Sequence, residues 1–335
     1  MRLATRLNRN ARIAKKLLHA LVDADHPILA QMVVVRRCNL ACGYCFEYDK
    51  VSEPVPTDVL LRRVDALADL GTAMLTLTGG EPLLQPDLEQ VVAHARSRGL
   101  FVSSITNGYL LTRERILALN RAGLDHLQMS IDNVEPDEVS KKSLRLLEPK
   151  LVWLSELADF TVAINSVVGS GIKNPEDALQ VAKRTVELGF MASLAVIHDQ
   201  DGQIKPMGER EMKVYEQLKD LGGRAITGMN ASFQDNLARG LPNRWSCRAG
   251  ARYLYVDEGG LVHYCAQQRG IPAVPVERYT KDHIRAAARA KKPCAPYCSL
   301  NCVHQASMLD EWRIRQGEGD FIPLTSVPSQ PVPEP

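Results

Sequence analysis

The chain has 335 residues, 45% hydrophobic and 24% charged, enough for one large α/β barrel domain plus a smaller appendage. A formal net charge of only +2 gives no global sign of a nucleic-acid partner. No uninterrupted apolar run reaches the ~20 residues of a membrane span.

Residues 3–22 read as an amphipathic helix. Leu3, Leu7, Ala14, Leu17, Leu18 and Leu21 recur at helical spacing. Arg2, Arg6, Arg9, Arg12, Lys15 and Lys16 fill another face, with no acid before residue 20. Such a helix either packs on the body of the protein with its cations solvated or makes peripheral contact with an anionic membrane. It lacks the continuous apolar core of a signal peptide.

From residue 31 the pattern alternates. Strands are predicted at 31–36, 73–77, 100–105, 125–131, 160–168 and 191–197. Helices are predicted at 57–70, 87–98, 112–122, 136–157 with a break at Pro149, and 175–188. Such alternation implies parallel strands with right-handed crossovers, in either a doubly wound sheet or a barrel. Residues 201–243 form a connector, with a helix at 209–221. Residues 252–257 and 261–265 flank Glu258-Gly259-Gly260 and read as a β-hairpin. Helices follow at 282–291 and 305–315, and the proline-rich tail 317–335 reads as disordered.

All eight cysteines fall within residues 38–45 and 247–302. In a large chain without an export signal this favours metal binding over disulfides, in a reducing, cytoplasmic compartment. Cys38-Asn39-Leu40-Ala41-Cys42-Gly43-Tyr44-Cys45 offers three soft thiolates from one loop. Three local ligands leave one iron of a four-iron cluster open to a substrate or cofactor. The alternative is a zinc knuckle, but nothing nearby completes four ligands: His26 lies upstream and the next cysteine is Cys247.

The Cys-x3-Cys-x2-Cys spacing, with Tyr44 before the last cysteine, resembles the signature of radical S-adenosylmethionine (SAM) enzymes. The resemblance implies a partial (β/α)6 TIM-type barrel over residues 31–200. Cys38, Cys42 and Cys45 would hold a [4Fe–4S] cluster, and SAM would chelate the fourth iron. An electron from a donor such as flavodoxin or ferredoxin would cleave SAM to a 5′-deoxyadenosyl radical, which takes a hydrogen from the substrate. Tyr44 would pack near the adenine. Gly79-Gly80-Glu81, at the end of the second strand, matches the family's motif for the SAM amino group. Glycines there suit close backbone approach to a ligand. Asn107, Ser130, Asp132 and Asn165 stand at further strand ends, where barrels place ligand contacts. The resemblance points to them for the ribose and carboxylate of SAM, while turn capping is the plainer role for each.

Cys247-x12-Gly260-x4-Cys265 resembles the opening of the SPASM/twitch extension, so residues 244–316 read as a hairpin-and-helix domain for an auxiliary cluster. Cys294, Cys298 and Cys302 follow, and only Cys298-x3-Cys302 matches the family's later cysteine run. Five cysteines suit one auxiliary [4Fe–4S] cluster, or a four-cysteine structural zinc. The resemblance makes Cys302 the best third ligand beside Cys247 and Cys265, with Cys294 and Cys298 competing for the fourth place. A peptide, a small metabolite and a lipid all stay open as substrates. A non-catalytic iron–sulfur or zinc sensor is the reading from another class.

Overall fold

The computed structural model describes residues 14, 16, 18–169, 172–197, 204–227 and 231–313; for 222–227 and 231 this extends to the backbone only. Most of the predicted helix 3–22 lies outside the described residues, as does the tail 317–335. The described residues at 14, 16 and 18–22 are helical.

Six strands and five helices alternate as the periodicity requires: β1 (Leu29–Val35), α1 (Thr57–Asp69), β2 (Met74–Gly79), α2 (Leu88–Ser97), β3 (Phe101–Thr106), α3 (Arg113–Ala122), β4 (His126–Ser130), α4 (Leu144–Leu157), β5 (Thr161–Gly169), α5 (Asp177–Glu187) and β6 (Met191–Ile197). Each of the strands β1–β6 is parallel to its neighbour. The helices bury one stripe each: Leu60, Val64 and Leu67 in α1, Leu88, Val91, Val92 and Ala95 in α2, and Leu147, Leu151 and Leu154 in α4. These pack on Met32, Val34, Leu75, Leu77, Leu127 and Met129 from the outer face of the sheet. Each such leucine contributes about 1.5–3 kcal/mol by leaving water.

The inner face is unusual for a parallel sheet, which is normally apolar on both sides. Backbone register aligns Gln31, Thr76, Ser103, His126 and Thr161 in a row across five strands. The Thr76 and Ser103 hydroxyls bond at 2.6 Å, and His126 Nδ1 lies 2.9 Å from Thr161 Oγ1. This polar row lines a partial barrel.

Helix α4 corrects the sequence-based expectation. It starts at Leu144, and residues 131–143 form a loop. Asp137 explains this: its carboxylate accepts from the Val139 and Ser140 amides at 2.9 and 2.7 Å, a local bond that competes with helix. Pro149 is accommodated within α4. The connector holds two helices instead of one, α6 (Glu209–Thr227), which runs through Gly222 and Gly223, and α7 (Ala231–Ala238).

Strands β7 (Tyr253–Val256), β8 (Leu261–His263) and β9 (Pro272–Pro275) follow, then α8 (Lys281–Arg289) and α9 (Asn301–Met308). The hairpin β7–β8 forms as expected, but β7 also pairs in parallel with β1. The result is one nine-stranded sheet, ordered β6-β5-β4-β3-β2-β1-β7-β8-β9. The last helix begins earlier than expected, so Cys302 lies inside it.

Arg252, fully buried before β7, clasps both ends of the described chain. Its Nε stands 3.1 Å from Asp310 Oδ2, and Nη1 donates to the Asp23 and His26 carbonyls at 2.9 and 2.8 Å. Nη2 donates to the Ala20 carbonyl. We expect Arg252→Ala to destabilise the fold by about 3 kcal/mol or more, because Asp310 loses its nearest cation, keeping only the more distant Arg248 and Arg313, and the Ala20, Asp23 and His26 carbonyls lose their donor. Urea unfolding measures this, and a loss below about 1 kcal/mol would show the clasp to be dispensable.

Candidate active site at the mouth of the barrel

Strand β1 runs directly into the cysteine loop, at the C-terminal end of the parallel strands. The loop's two ends are pinned together: Cys38 N donates to the Asp49 carbonyl at 3.0 Å, and Asp49 N to the Arg36 carbonyl at 3.1 Å. Lys50 Nζ closes the turn on the carbonyls of Cys38 and Leu40, at 3.1 and 2.7 Å. Cys38 and Cys42 lie within electrostatic reach of each other, as do Cys42 and Cys45, and Tyr48 senses all three thiols. Burial pushes the Cys45 thiol up to about 11. Cys38 Sγ accepts from Leu40 N at 3.4 Å and from the Asn107 side-chain amide at 3.7 Å. Donors of this kind also stabilise a metal-bound thiolate.

Gly79 and Gly80 press against the base of this loop. A Cβ on Gly79 would stand 2.0 Å from the Val35 carbonyl oxygen, and one on Gly80 2.3 Å from that of Arg36. Gly79 also has φ +143°, which side-chain-bearing residues rarely adopt. The close approach lets Gly80 N donate to Val35 O at 2.9 Å and Glu81 N to Arg37 O at 3.1 Å. Gly79→Ala is expected to cost on the order of 3 kcal/mol or more, through overlap and backbone strain together. Chemical unfolding tests this, and wild-type stability would mean that β1 and β2 separate easily.

Glu81 is fully buried, and burial pushes its carboxyl up despite three donors. Oε1 accepts from Leu83 N at 3.0 Å and Thr106 Oγ1 at 2.7 Å, and Oε2 from Asn107 N at 2.8 Å. The side chain thus ties the end of β2 to the end of β3. Asn107, so positioned, reaches Asn39 Oδ1 at 2.8 Å as well as Cys38. Ser130 and Asn165 stand side by side in the β4–β5 register, and Asn165 Oδ1 accepts from Ser193 Oγ at 3.0 Å.

Asp132 is buried under the loop. Its Oδ2 accepts from Tyr44 OH at 2.5 Å and Ser140 Oγ at 2.7 Å, and pairs with Lys142 Nζ at 2.9 Å. Lys142 also donates to the Tyr44 hydroxyl. Burial works against the Lys142 charge, but Asp132 and Tyr44 outweigh it and hold the ammonium well above the usual lysine range. Burial, with Asp132, pushes the Tyr44 hydroxyl the same way. Lys142 is absent from the residues that spacing singled out, because residues 136–143 read as helix. The Asp137 turn was the available signal.

The second cysteine group gathers below the hairpin. The thiols of Cys247, Cys265, Cys294 and Cys298 all lie in electrostatic reach of one another. Trp245 Nε1 donates to the Ala295 carbonyl at 2.7 Å, and Asn243 N to that of Pro296 at 2.8 Å, which brings 294–298 against 247. Cys302 is set apart. Burial pushes its thiol up to about 11, and its side-chain partner is Tyr253. Lys292 lies near Cys247, Cys265 and Cys294, and burial lowers it to about 8.

A polar bridge joins the two cysteine regions. Tyr255 OH donates to the Glu47 carboxylate, two residues beyond Cys45. Arg269, just after Cys265, pairs with Glu258 at 2.7 Å, and Arg36 at the end of β1 reaches the same carboxylate at 3.2 Å. Among the described residues no three His, Cys, Asp or Glu side chains converge to hold a single metal ion.

Three thiols from one pinned loop at the C-terminal end of the parallel strands, over a Gly-Gly-Glu turn, fit a class of protein that carries an iron–sulfur cluster. Residues 32–200 match the Radical SAM superfamily model, and the chain belongs to that family. The thiols, the amide donors at Cys38 and the nearby lysine fit the [4Fe–4S] cluster and SAM that the family uses. The PqqA peptide cyclase of Methylocella silvestris is 34% identical over 51% of this chain and 48% of its own length. That of Bradyrhizobium diazoefficiens is 34% identical over 42% and 39%. The chain thus spans about half the length, or less, of the curated relatives it matches. Streptococcus suis SuiB, bound to its precursor peptide SuiA, shares the fold. Its TM-score is 0.60 at 15% identity, covering 81% of this chain and 68% of that one. The structure of anSMEcpe with bound AdoMet and the Cp18Cys peptide gives 0.56 at 16% identity, covering 84% and 95%. No helix among the described residues is long and apolar enough to cross a membrane.

Proposed function

We propose that the protein is a radical SAM enzyme that reductively cleaves SAM and removes a hydrogen from a peptide substrate. The observation that carries this is the loop of Cys38, Cys42 and Cys45 held over Gly79–Glu81 at the mouth of a polar lumen. With the cluster bound, reductive cleavage of SAM supplies the hydrogen-abstracting chemistry. The chain's own residues bind and orient. Cys38, Cys42 and Cys45 supply the thiolates, Gly79 and Gly80 keep the loop seated, and Glu81 and Asn107 orient the strand ends. Ser130 and Asn165 offer polar groups to SAM, whereas the Tyr44 hydroxyl and the buried Asp132 carboxylate are committed to each other and to Lys142. Cys247, Cys265, Cys294 and Cys298 hold one auxiliary cluster, with Cys302 outside it.

A peptide is favoured by the relatives, whose names and complexes are those of peptide-modifying proteins. A small one-electron donor of the flavodoxin or ferredoxin type completes the reading.

Anaerobic incubation of the reconstituted protein with SAM, dithionite and defined peptide pools tests it. We expect 5′-deoxyadenosine release to rise with peptide, together with a mass change in one peptide. Release that no peptide stimulates, but a small metabolite does, would replace the substrate class. Flotation of full-length and residue-23-onward protein with anionic vesicles tests the membrane contact of the N-terminal helix: equal recovery removes it.

A further inference from the structure

The 131–143 loop, which the sequence pattern presented as helix, braces the cysteine loop from outside the barrel strands. Gly43 N donates to the Val139 carbonyl at 2.8 Å, and Cys42 Sγ lies 3.8 Å from Ser140 Oγ. Tyr109 OH holds the brace from the other side, on the Lys141 carbonyl. At its foot sits one ion pair, Lys142 with Asp132, with side chains 13% and 0% exposed. Both charges grip Tyr44, the residue between Gly43 and Cys45. Asp132 accepts its hydroxyl at 2.5 Å, and the Lys142 ammonium lies 5.0 Å from its ring centre. The same ammonium is within electrostatic reach of the Cys42 and Cys45 thiols. Asp132 Oδ1, buried, has no hydrogen-bond partner, so Oδ2 alone carries the pair.

We propose that Lys142 is a positioning residue for the catalytic cluster. Its ammonium, locked on Asp132, offsets negative charge beside the Cys42 and Cys45 thiolates and thereby raises the cluster's reduction potential, while its bond to Tyr44 fixes the loop. This rests on the assignment of a [4Fe–4S] cluster to Cys38, Cys42 and Cys45. A buried cation next to a cluster favours the reduced form, which carries one more negative charge, and low local polarity strengthens that effect. The reason for a pair in place of a lone lysine is also physical. A buried ammonium needs a partner to stay charged, and Asp132 supplies it. Removing Lys142 leaves Asp132 as an uncompensated anion under the cluster. Removing both charges restores neutrality.

The test is the midpoint potential of the SAM-responsive cluster, read by EPR-monitored redox titration of the full-length, anaerobically reconstituted protein, with iron content as a control. Lys142→Met is expected to make reduction at least tenfold less favourable, a fall of about 59 mV for one electron. Lys142→Arg should keep the potential near wild type, and Lys142→Met with Asp132→Asn should recover most of the loss. A cluster-replete Lys142→Met protein with the wild-type potential would overturn the inference. If Lys142→Met does not load iron, Lys142→Gln and Lys142→Arg decide as a pair: a potential that falls in the glutamine variant and holds in the arginine variant supports the charge pair, and the same potential in both refutes it. Absence of any SAM-responsive signal in wild type would instead sink the cluster assignment itself.

Discussion

Replacing Cys38, Cys42 and Cys45 together by alanine is expected to abolish 5′-deoxyadenosine formation while leaving a folded protein with about half its iron. The reasoning combines two separations. The three thiols occupy one loop whose ends are pinned by backbone bonds between Cys38, Asp49 and Arg36, so the sheet does not depend on them. The other thiols gather around the hairpin and residues 294–298 as a separate set. Two four-iron clusters give about eight irons per chain, and the triple variant should keep about four. Persistent SAM cleavage in that variant, or none in a cluster-replete wild type, would sink the assignment. Loss of all iron would instead mean that the two sites load as a unit, through the Glu47–Tyr255 and Arg269–Glu258 bridge.

Cys298→Ala is expected to strip the remaining iron, about four atoms per chain, and Cys302→Ala to leave it in place. The family resemblance ranks Cys302 above Cys298, because Cys298-x3-Cys302 resembles the end of the family's cysteine run. The folded chain supports the reverse order. Cys298 is buried among Cys247, Cys265 and Cys294, and each of those thiols bears on it. Cys302 is the second residue of α9, with Tyr253 as its partner. Metal analysis of the two variants, on the background of the triple alanine protein, separates the readings without interference from the first cluster. A silent Cys298→Ala with a stripped Cys302→Ala would return the ligand to the position that spacing favours. Zinc in place of iron would make the site structural.

Much of the candidate site is legible from short stretches. The residues Cys38, Cys42, Cys45, Gly79, Gly80 and Glu81 are close in sequence within their own motifs, and a motif carries its chemistry wherever the backbone can form the turn. What the glutamate does was not legible. Glu81 has both oxygens committed to Leu83, Thr106 and Asn107, contacts that exist only because β2 and β3 are neighbours. Lys142 was hidden for a related reason. Residues 136–143 have helical composition, and the Asp137 carboxylate captures two amides that a helix would need.

The sequence by itself determined the alternation of strand and helix, the two cysteine groups, the β7–β8 hairpin and the membership of a cluster-bearing class. These follow from hydrophobic period, turn residues and ligand spacing, all local properties of the chain. Tertiary structure decided the rest. It placed β7 against β1, so that the cysteine-rich segment extends the barrel sheet, and it aligned Gln31, Thr76, Ser103, His126 and Thr161 into one polar row. It also brought Lys142 and Asp132 under Tyr44, and Cys298 among the hairpin thiols. Each of these depends on which strand lies beside which. Register and strand order are set by the summed burial of faces far apart in the chain, and no local pattern encodes them.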